Sequence, residues 1–322
     1  MGRRELLRLL SIMGALIATP APIAAHADDI EQIDQFELLN SHLWQVFALS
    51  PAKRAVHPAV REQLGLLTAA LRDARSHEEH VRLCVLAGDL LQLAGEIMFD
   101  ANRYVEAAHC YKLAADASKE GGAFDQWACA LTRHAYVDLY EREYGSALDL
   151  LDSAERVAGR GDGQLPTRYW VAAVRAEVHA GLGELGFCER ALGVAERVGG
   201  SSDANVPGGW LRFDGTRLAE QRGTCYAALG RPELASGALG EALGVANSLR
   251  RKGSILVDLA GLGVRVRDLD QVLEYGAQAI DIADRTRSSG YVGRKLRLLR
   301  AELGSVSGDT RIAQLVERID LV

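Results

Sequence analysis

The 322-residue sequence is poor in proline and in aromatic residues, and it has no excess of basic charge. It contains 7 prolines and 6% aromatic residues, and its formal net charge is -6 at pH 7. The negative balance argues against a general nucleic-acid binder, which needs basic residues to neutralise phosphates. The sequence also lacks alternating runs rich in Val and Thr, which argues against a β-protein.

Cysteine is scarce as well, and its spacing fits neither a disulfide framework nor a zinc site. There are five cysteines, an odd number, and no CxxC pair occurs. Each lies within an apolar helical run, which predicts small buried side chains. The five are Cys84, Cys110, Cys129, Cys188 and Cys225. We therefore expect no metal and no cofactor.

Alanine, leucine and glycine dominate what remains. Ala and Leu are strong helix formers, so the sequence predicts an all-α protein. Many of the 33 glycines lie at predicted helix ends or inside Ala/Leu-rich runs. A glycine within a helix costs stability, so those glycines indicate places where two helices approach closely.

Small residues recur along the chain in the order typical of tetratricopeptide repeats. This two-helix repeat spans about 34 residues and needs small side chains where its helices meet. The small residue near the start of each predicted second helix returns every 37 to 47 residues: Ala107, Ala147, Cys188, Ala235 and Val272. In the last repeat, Gly276 stands where a large residue is expected. The pattern predicts a tetratricopeptide-like α-solenoid whose helix pairs form a right-handed superhelix.

The spacing also divides the chain. The extra residues between repeats fall in joints rich in Gly, Pro and Ser, at 159–166 and 199–209, and such joints cost little closure entropy. A capping box begins at Ser76, and Gly230 followed by Pro232 marks the end of one helix and the start of the next. The predicted segments are an N-terminal segment 1–29, a diverged helical pair 30–79, a repeat array 80–286 and C-terminal capping helices 287–322.

The N-terminal segment has two interpretations. Arg3 and Arg4 precede an apolar run that leads to Ala25-His26-Ala27, as in a twin-arginine export signal at 1–27. The same residues also fit an amphipathic helix followed by a Pro/Ala linker. The run is too short for a stable membrane span.

Three stretches carry a resemblance to a known family, and that resemblance covers nearly the whole chain. Arg3-Arg4-Glu5-Leu6-Leu7-Arg8-Leu9-Leu10, together with residues 279–290 and 295–300, is similar to the tetratricopeptide regulatory region of actinobacterial helix-turn-helix regulators of the XRE type. The resemblance favours the linker interpretation and a cytoplasmic protein. No helix-turn-helix domain precedes Arg3 in this sequence. If the chain is complete, we therefore do not expect direct nucleic-acid binding to carry over from the family. The resemblance then implies a sensor or adaptor, or a regulator whose start was lost.

We found no catalytic constellation in the sequence. Gly181-Leu-Gly-Glu-Leu-Gly186 matches a dinucleotide-binding pattern, but a helix precedes it, so we interpret it as a turn between repeat helices. His77 and His80 make too few ligands for a metal site. The basic stretch that includes Lys295 is expected to be a solvated face. The protein is therefore not expected to be an enzyme.

Stacked helix pairs leave a concave surface formed by their first helices, which suits an extended peptide or a partner helix. Arg133, Arg175 and Arg217 recur once per repeat and are hypothesised to form a ladder for carboxylates. The candidate groove residues are Arg133, Tyr136, Asp138, Arg175, His179, Arg217 and Gln221. The predicted function is regulatory or sensory binding of a peptide or protein, with a homo-oligomer left open. The alternative is an exported helical-repeat scaffold.

Overall fold

The computed structural model describes residues 29–197, 209–211, 213, 215–246, 248–286, 290–304 and 308–322. These residues form α-helices, connecting turns and one short 3-10 helix, Lys53–Val56, with no strand among them. The α-helices are α1 (Asp29–Leu49), α2 (His57–Asp73), α3 (His77–Asp100), α4 (Tyr104–Glu120), α5 (Phe124–Glu141), α6 (Tyr144–Ala158), α7 (Thr167–Gly181), α8 (Leu185–Ala195), α9 (Gly215–Ala228), α10 (Pro232–Val245), α11 (Leu249–Val266), α12 (Leu269–Thr286), α13 (Tyr291–Leu303) and α14 (Thr310–Asp320). The all-α prediction is confirmed.

Five successive helix pairs, from α3/α4 to α11/α12, share one turn. The residue two positions before each second helix has a positive φ, between 59° and 76°. The next main-chain N–H donates to the carbonyl five residues earlier, as in Glu143 to Asp138 at 2.8 Å and Arg231 to Tyr226 at 2.9 Å. This bond ends the first helix and reverses the chain. The five positive-φ residues are Asn102, Arg142, Gly183, Gly230 and Arg267.

The predicted small sites occupy equivalent positions in these five pairs. Each is the fourth residue of its second helix and has no exposed surface. The five are Ala107, Ala147, Cys188, Ala235 and Val272. The repeat prediction, which depended on this equivalence, is confirmed.

Close helix contacts explain the glycines inside helices. A Cβ atom on Gly223 would stand 2.5 Å from Cγ of Leu239 in the partner helix α10. Gly276 was interpreted as a break in the pattern, but a Cβ atom there would stand 2.9 Å from Leu315 of α14. At this position the repeat helix therefore has the small residue, Gly276, and the terminal helix α14 supplies the large side chain, Leu315, that packs against it.

The capping predictions are also confirmed. The main-chain N–H of Glu79 donates to Ser76 Oγ at 3.1 Å, and Glu79 Oε2 accepts from the N–H of Ser76 at 3.2 Å. Pro232 opens α10, where its missing N–H costs nothing. The glycine-rich 181–186 motif lies in the turn from α7 to α8, with φ +76° at Gly183.

The chain divides into two compact units. The described residues of the first are 29–98, 103–171 and 209–211. Those of the second are 99–102, 172–197, 213 and the described residues from 215 onward. The core of the first unit contains Trp44, Phe47 and Leu90, and one core of the second contains Leu296, Ile312 and Leu315. The two interpretations of 1–27 concern residues outside the described part of the chain.

Candidate functional site

All seven candidate groove residues lie on first helices of the repeat pairs. Three are on α5 in the first unit, namely Arg133, Tyr136 and Asp138. Four are on α7 and α9 in the second unit, namely Arg175, His179, Arg217 and Gln221. We describe the surroundings of each set within its own unit.

Arg133 lies at the centre of a buried polar cluster in the first unit. Only 4% of its surface is exposed. Its Nη1 donates to Gln92 Oε1 at 2.7 Å, and its Nε donates to Glu96 Oε1 at 3.2 Å, both on α3. Its Nη2 donates to the main-chain carbonyl of Trp210 at 2.7 Å. The guanidinium group is therefore held in place on three sides.

Aromatic rings enclose the same guanidinium group. It lies 4.8 Å from the ring centroid of Trp170 and 5.8 Å from that of Trp44. Trp44 Nε1 in turn donates to Asp89 Oδ1 at 2.7 Å, and Asn40 Nδ2 donates to Asp89 Oδ2 at 3.0 Å. Burial raises the pKa of Asp89 to about 6, although both hydrogen bonds oppose that rise.

Tyr136 and Asp138 lie further along α5. The ring of Tyr136 is 5.2 Å from that of Tyr140, between centroids. Asp138 accepts a hydrogen bond from Ser146 Oγ at the start of α6. Asp138 therefore links the two helices of its own pair.

In the second unit, Gln221 of α9 contacts Glu177 of α7. Gln221 Nε2 donates to Glu177 Oε1 at 2.9 Å. Gln221 Oε1 is buried and has no hydrogen-bond partner among the described residues. Glu177 is 7% exposed, and burial raises its pKa to about 7. Near neutral pH this carboxyl group is therefore divided between its neutral and charged forms.

A buried ion pair joins α11 and α13. Lys295 Nζ lies 2.6 Å from Asp258 Oδ2 and 2.8 Å from Ser254 Oγ. Burial is the largest single effect and lowers the pKa of Lys295, but the groups around it, first of all the carboxylate of Asp258, together raise that pKa above its ordinary value. Lys295 therefore stays charged. The prediction of a solvated face is wrong at this residue, because its side chain is only 16% exposed.

A cleft of about 500 Å³, including open solvent, lies beside this ion pair. Its walls are first helices, α9, α11 and α13, and Asp258 and Lys295 line it together with Leu299. Arg265 and Glu302, both exposed, also line it. The cleft thus combines apolar surface with charges of both signs.

The remaining candidates are His179, which contacts nearby residues of the chain, and Arg175 and Arg217. His179 Nδ1 lies 2.7 Å from Glu184 Oε2, and its ring stacks on Phe187 with centroids 5.1 Å apart. Glu184 directly precedes α8 and Phe187 lies within it, so both contacts stay within the α7/α8 pair. Arg175 and Arg217 are half-buried.

Sequence reasoning missed Glu177, Asp258 and Lys295. Glu177 and Asp258 are ionisable residues within apolar helical runs, as Asp258 is in Ile255-Leu-Val-Asp-Leu, and that signal could have identified them. Lys295 lies in a basic stretch, so its burial gave no comparable signal.

The part of the chain that the structure describes contains no group of three or more His, Cys, Asp and Glu side chains that could hold a metal. His80 is buried, and its Nε2 lies 3.6 Å from Cys84 Sγ and 3.5 Å from Glu120 Oε1. The five cysteines are buried and not in disulfides. Within the described ranges, none of the helices combines the length and apolar character that crossing a bilayer requires.

The fold is similar to that of solved helical-repeat proteins. A Rap protein complexed with competence and sporulation factor aligns with a TM-score of 0.55 and 15% identity, over 99% of this chain and 87% of that chain. The apo form of RapI aligns with a TM-score of 0.43 and 14% identity, over 98% of this chain and 85% of that chain. No family model and no curated protein matches the sequence. The first likeness shows a tetratricopeptide-like α-solenoid and, at this identity, the fold alone.

Proposed function

We propose that this protein is a non-enzymatic regulatory module that binds a peptide, or an extended segment of another protein, on the first helices of its second unit. The pair formed by Glu177 and Gln221 carries this proposal. Within the described residues, the buried carboxyl group of Glu177 accepts one hydrogen bond, from Gln221, whose own Oε1 lacks a partner. Buried polar groups that lack partners cost free energy, and such groups mark candidate binding sites.

A ligand with an ammonium or guanidinium group fits this pair. The cation would pair with the carboxylate of Glu177, and a further N–H would donate to Gln221 Oε1. A peptide with a Lys or Arg side chain, or with a free amino terminus, has these donors. The cleft beside Asp258 and Lys295 offers apolar and charged surface, on first helices of the same unit, for other parts of such a peptide.

The fold supports a binding role. First helices of stacked repeats offer adjacent, rigid faces for extended ligands. The Rap protein of similar fold was solved with competence and sporulation factor bound. The relation to actinobacterial transcription regulators and the cytoplasmic location stay predictions from the sequence. N-terminal sequencing of the natural protein distinguishes a cytoplasmic protein from the exported scaffold, whose mature chain would begin at Asp28.

The seven candidate residues from the sequence are part of the proposal in different ways. Gln221 belongs directly to the site. Arg175 and Arg217 lie on the same two first helices as Glu177 and Gln221. The arginine ladder with Arg133 stays a prediction, and its test is partner capture by the triple alanine variant.

The site is tested with an array of short peptides that differ in charge. We expect the full-length protein to bind peptides with Lys or Arg better than matched peptides with Gln at those positions. Glu177→Gln should abolish that preference by removing the charge at nearly constant volume. Glu233→Gln, at an exposed position of α10, is the matched control. A preference for basic peptides that survives Glu177→Gln, or no peptide binding at all, would contradict the proposal.

A further inference from the structure

A short non-helical stretch of the chain, residues 209–211, lies on first-helix residues of the first unit. The carbonyl of Trp210 accepts the hydrogen bond from Arg133 Nη2. The Trp210 side chain packs against the hydrophobic core of that unit. Leu211, which follows it, has no exposed surface. The stretch is therefore anchored by one hydrogen bond from the Arg133 side chain to its main chain and by two adjacent buried or partly buried side chains.

Gly209 allows the main chain to come close to α1. Its φ of +100° lies in a region that side chains other than glycine rarely adopt. A Cβ atom at this position would stand 3.3 Å from Cδ1 of Trp44. Any larger residue would therefore strain the backbone and press on the Trp44 ring.

The surface beneath this stretch is also held by contacts that do not involve residues 209–211. Gln92 and Glu96 fix two edges of the Arg133 guanidinium group, and the rings of Trp44 and Trp170 enclose it. The third edge points at a main-chain carbonyl. In the recognition of extended peptides, hydrogen bonds to the peptide main chain give affinity and apolar pockets for its side chains give specificity. A donor held in place in this way loses little entropy when it binds.

We propose that this Arg133 surface is a peptide-binding site of the first unit, occupied by residues 209–211 as an intramolecular ligand. Its external ligand is an extended peptide that carries an aromatic residue followed by an aliphatic one. The tether presents residues 209–211 at an effective concentration on the order of millimolar. An external peptide must displace them, so its apparent affinity is the intrinsic affinity multiplied by the fraction of molecules in which residues 209–211 have left the site. This inference is independent of the Glu177 site in the second unit.

The test uses the full-length protein and a fluorescent peptide with the sequence Gly-Trp-Leu-Arg-Phe, which is that of residues 209–213. Trp210→Ala removes the aromatic anchor of the internal ligand, and Gly209→Ala displaces it with a smaller change. By fluorescence anisotropy, we expect both variants to bind the peptide at least about tenfold more tightly than the wild-type protein does. A probe with Ala in place of Trp, and a scrambled probe, should bind neither variant.

Arg133→Lys locates the site, because lysine keeps the charge but loses the fixed fork of donors. Combined with Gly209→Ala, it should weaken peptide binding at least about fivefold. Circular dichroism identifies variants that keep the helical fold, and Gly209→Ala alone decides the question if Trp210→Ala does not fold. Equal binding to wild type and Gly209→Ala, or binding that Arg133→Lys leaves unchanged, would overturn the proposal.

Discussion

The ring of Tyr111 occupies the space that a Cβ atom on Gly95 would fill. Gly95 lies on α3 and Tyr111 on α4, so the absence of a side chain lets the two helices of this pair approach closely. The hydroxyl of Tyr111 also donates to Glu96 Oε1 at 3.1 Å, and Glu96 accepts from Arg133. The small residue of the repeat thus positions part of the polar cluster.

Replacing Gly95 by Ala should destabilise the protein by about 2 kcal/mol, because the new methyl group overlaps a buried ring. Gly237→Ala is the matched control. Gly237 is exposed within α10, and a Cβ atom there meets nothing within 4 Å. The control should be more stable than the wild type by about 1 kcal/mol, from helix propensity alone. Urea denaturation followed by circular dichroism measures both. Equal midpoints for the two variants would show that the Gly95 contact is not tight.

Arg142 has the left-handed conformation that glycine supplies in two equivalent turns. Its φ is 64°, and its counterparts in the turns before α8 and α10 are Gly183 and Gly230. Arg142→Gly should therefore stabilise the protein by about 1 kcal/mol, because it removes the steric cost of that conformation. Gly183→Ala is the converse change and should destabilise it by a similar amount. Thermal melts check both, and a lower melting temperature for Arg142→Gly would contradict the expectation.

The repeat architecture could be predicted because residue size is written directly in the sequence. Ala107 and Ala235 are small at the same step of two helix pairs, and helices nest wherever such residues recur. The turns could be placed for the same reason, since Gly230 and Pro232 act locally. The exchange at Gly276 could not be predicted, because its large partner, Leu315, comes from another helix pair.

The polar clusters were harder to predict than the fold. Gln221 was proposed from the sequence as a polar residue of a first helix, but its contact with Glu177 joins residues 44 positions apart. The bond from Arg133 to Trp210 joins residues 77 positions apart. Periodicity indicates which face a residue occupies, but it does not indicate which distant side chain or carbonyl lies opposite.

Lys295 and Asp258 should depend strongly on each other. Lys295→Met leaves the carboxylate of Asp258 buried without its cation, which should cost about 3 kcal/mol of stability. The double variant with Asp258→Leu should recover most of that loss, because it removes the remaining charge. Lys112→Met is the control. Lys112 pairs with Asp116 at the surface, where the Lys112 side chain is 60% exposed. This substitution should cost under about 1 kcal/mol of stability. Denaturant titrations of the wild type, the two single variants Lys295→Met and Asp258→Leu, and the double variant measure the coupling, and a double effect equal to the sum of the single effects would rule it out.

Glu177 should make the stability of the protein depend on pH. Its pKa is about 7 in the folded chain against an ordinary value of 4.5, so the folded state retains a proton that the unfolded state has lost. Stability should therefore be fully present below about pH 4.5 and fall by up to about 3 kcal/mol as pH rises through 7.

Glu177→Gln removes this titration while keeping a neutral side chain of nearly the same shape. The variant should match the wild type near pH 5 and exceed its stability near pH 8, and the difference between the two should grow between these values. Glu233→Gln should leave the wild-type pH dependence unchanged. Chemical denaturation between about pH 5 and about pH 8 measures these stabilities, and a stability difference that does not vary with pH would mean that Glu177 is not the titrating group.

The binding of a cationic ligand should also depend on pH. Such a ligand needs the ionised form of Glu177, so its affinity for the wild type should fall by about tenfold per pH unit below 7.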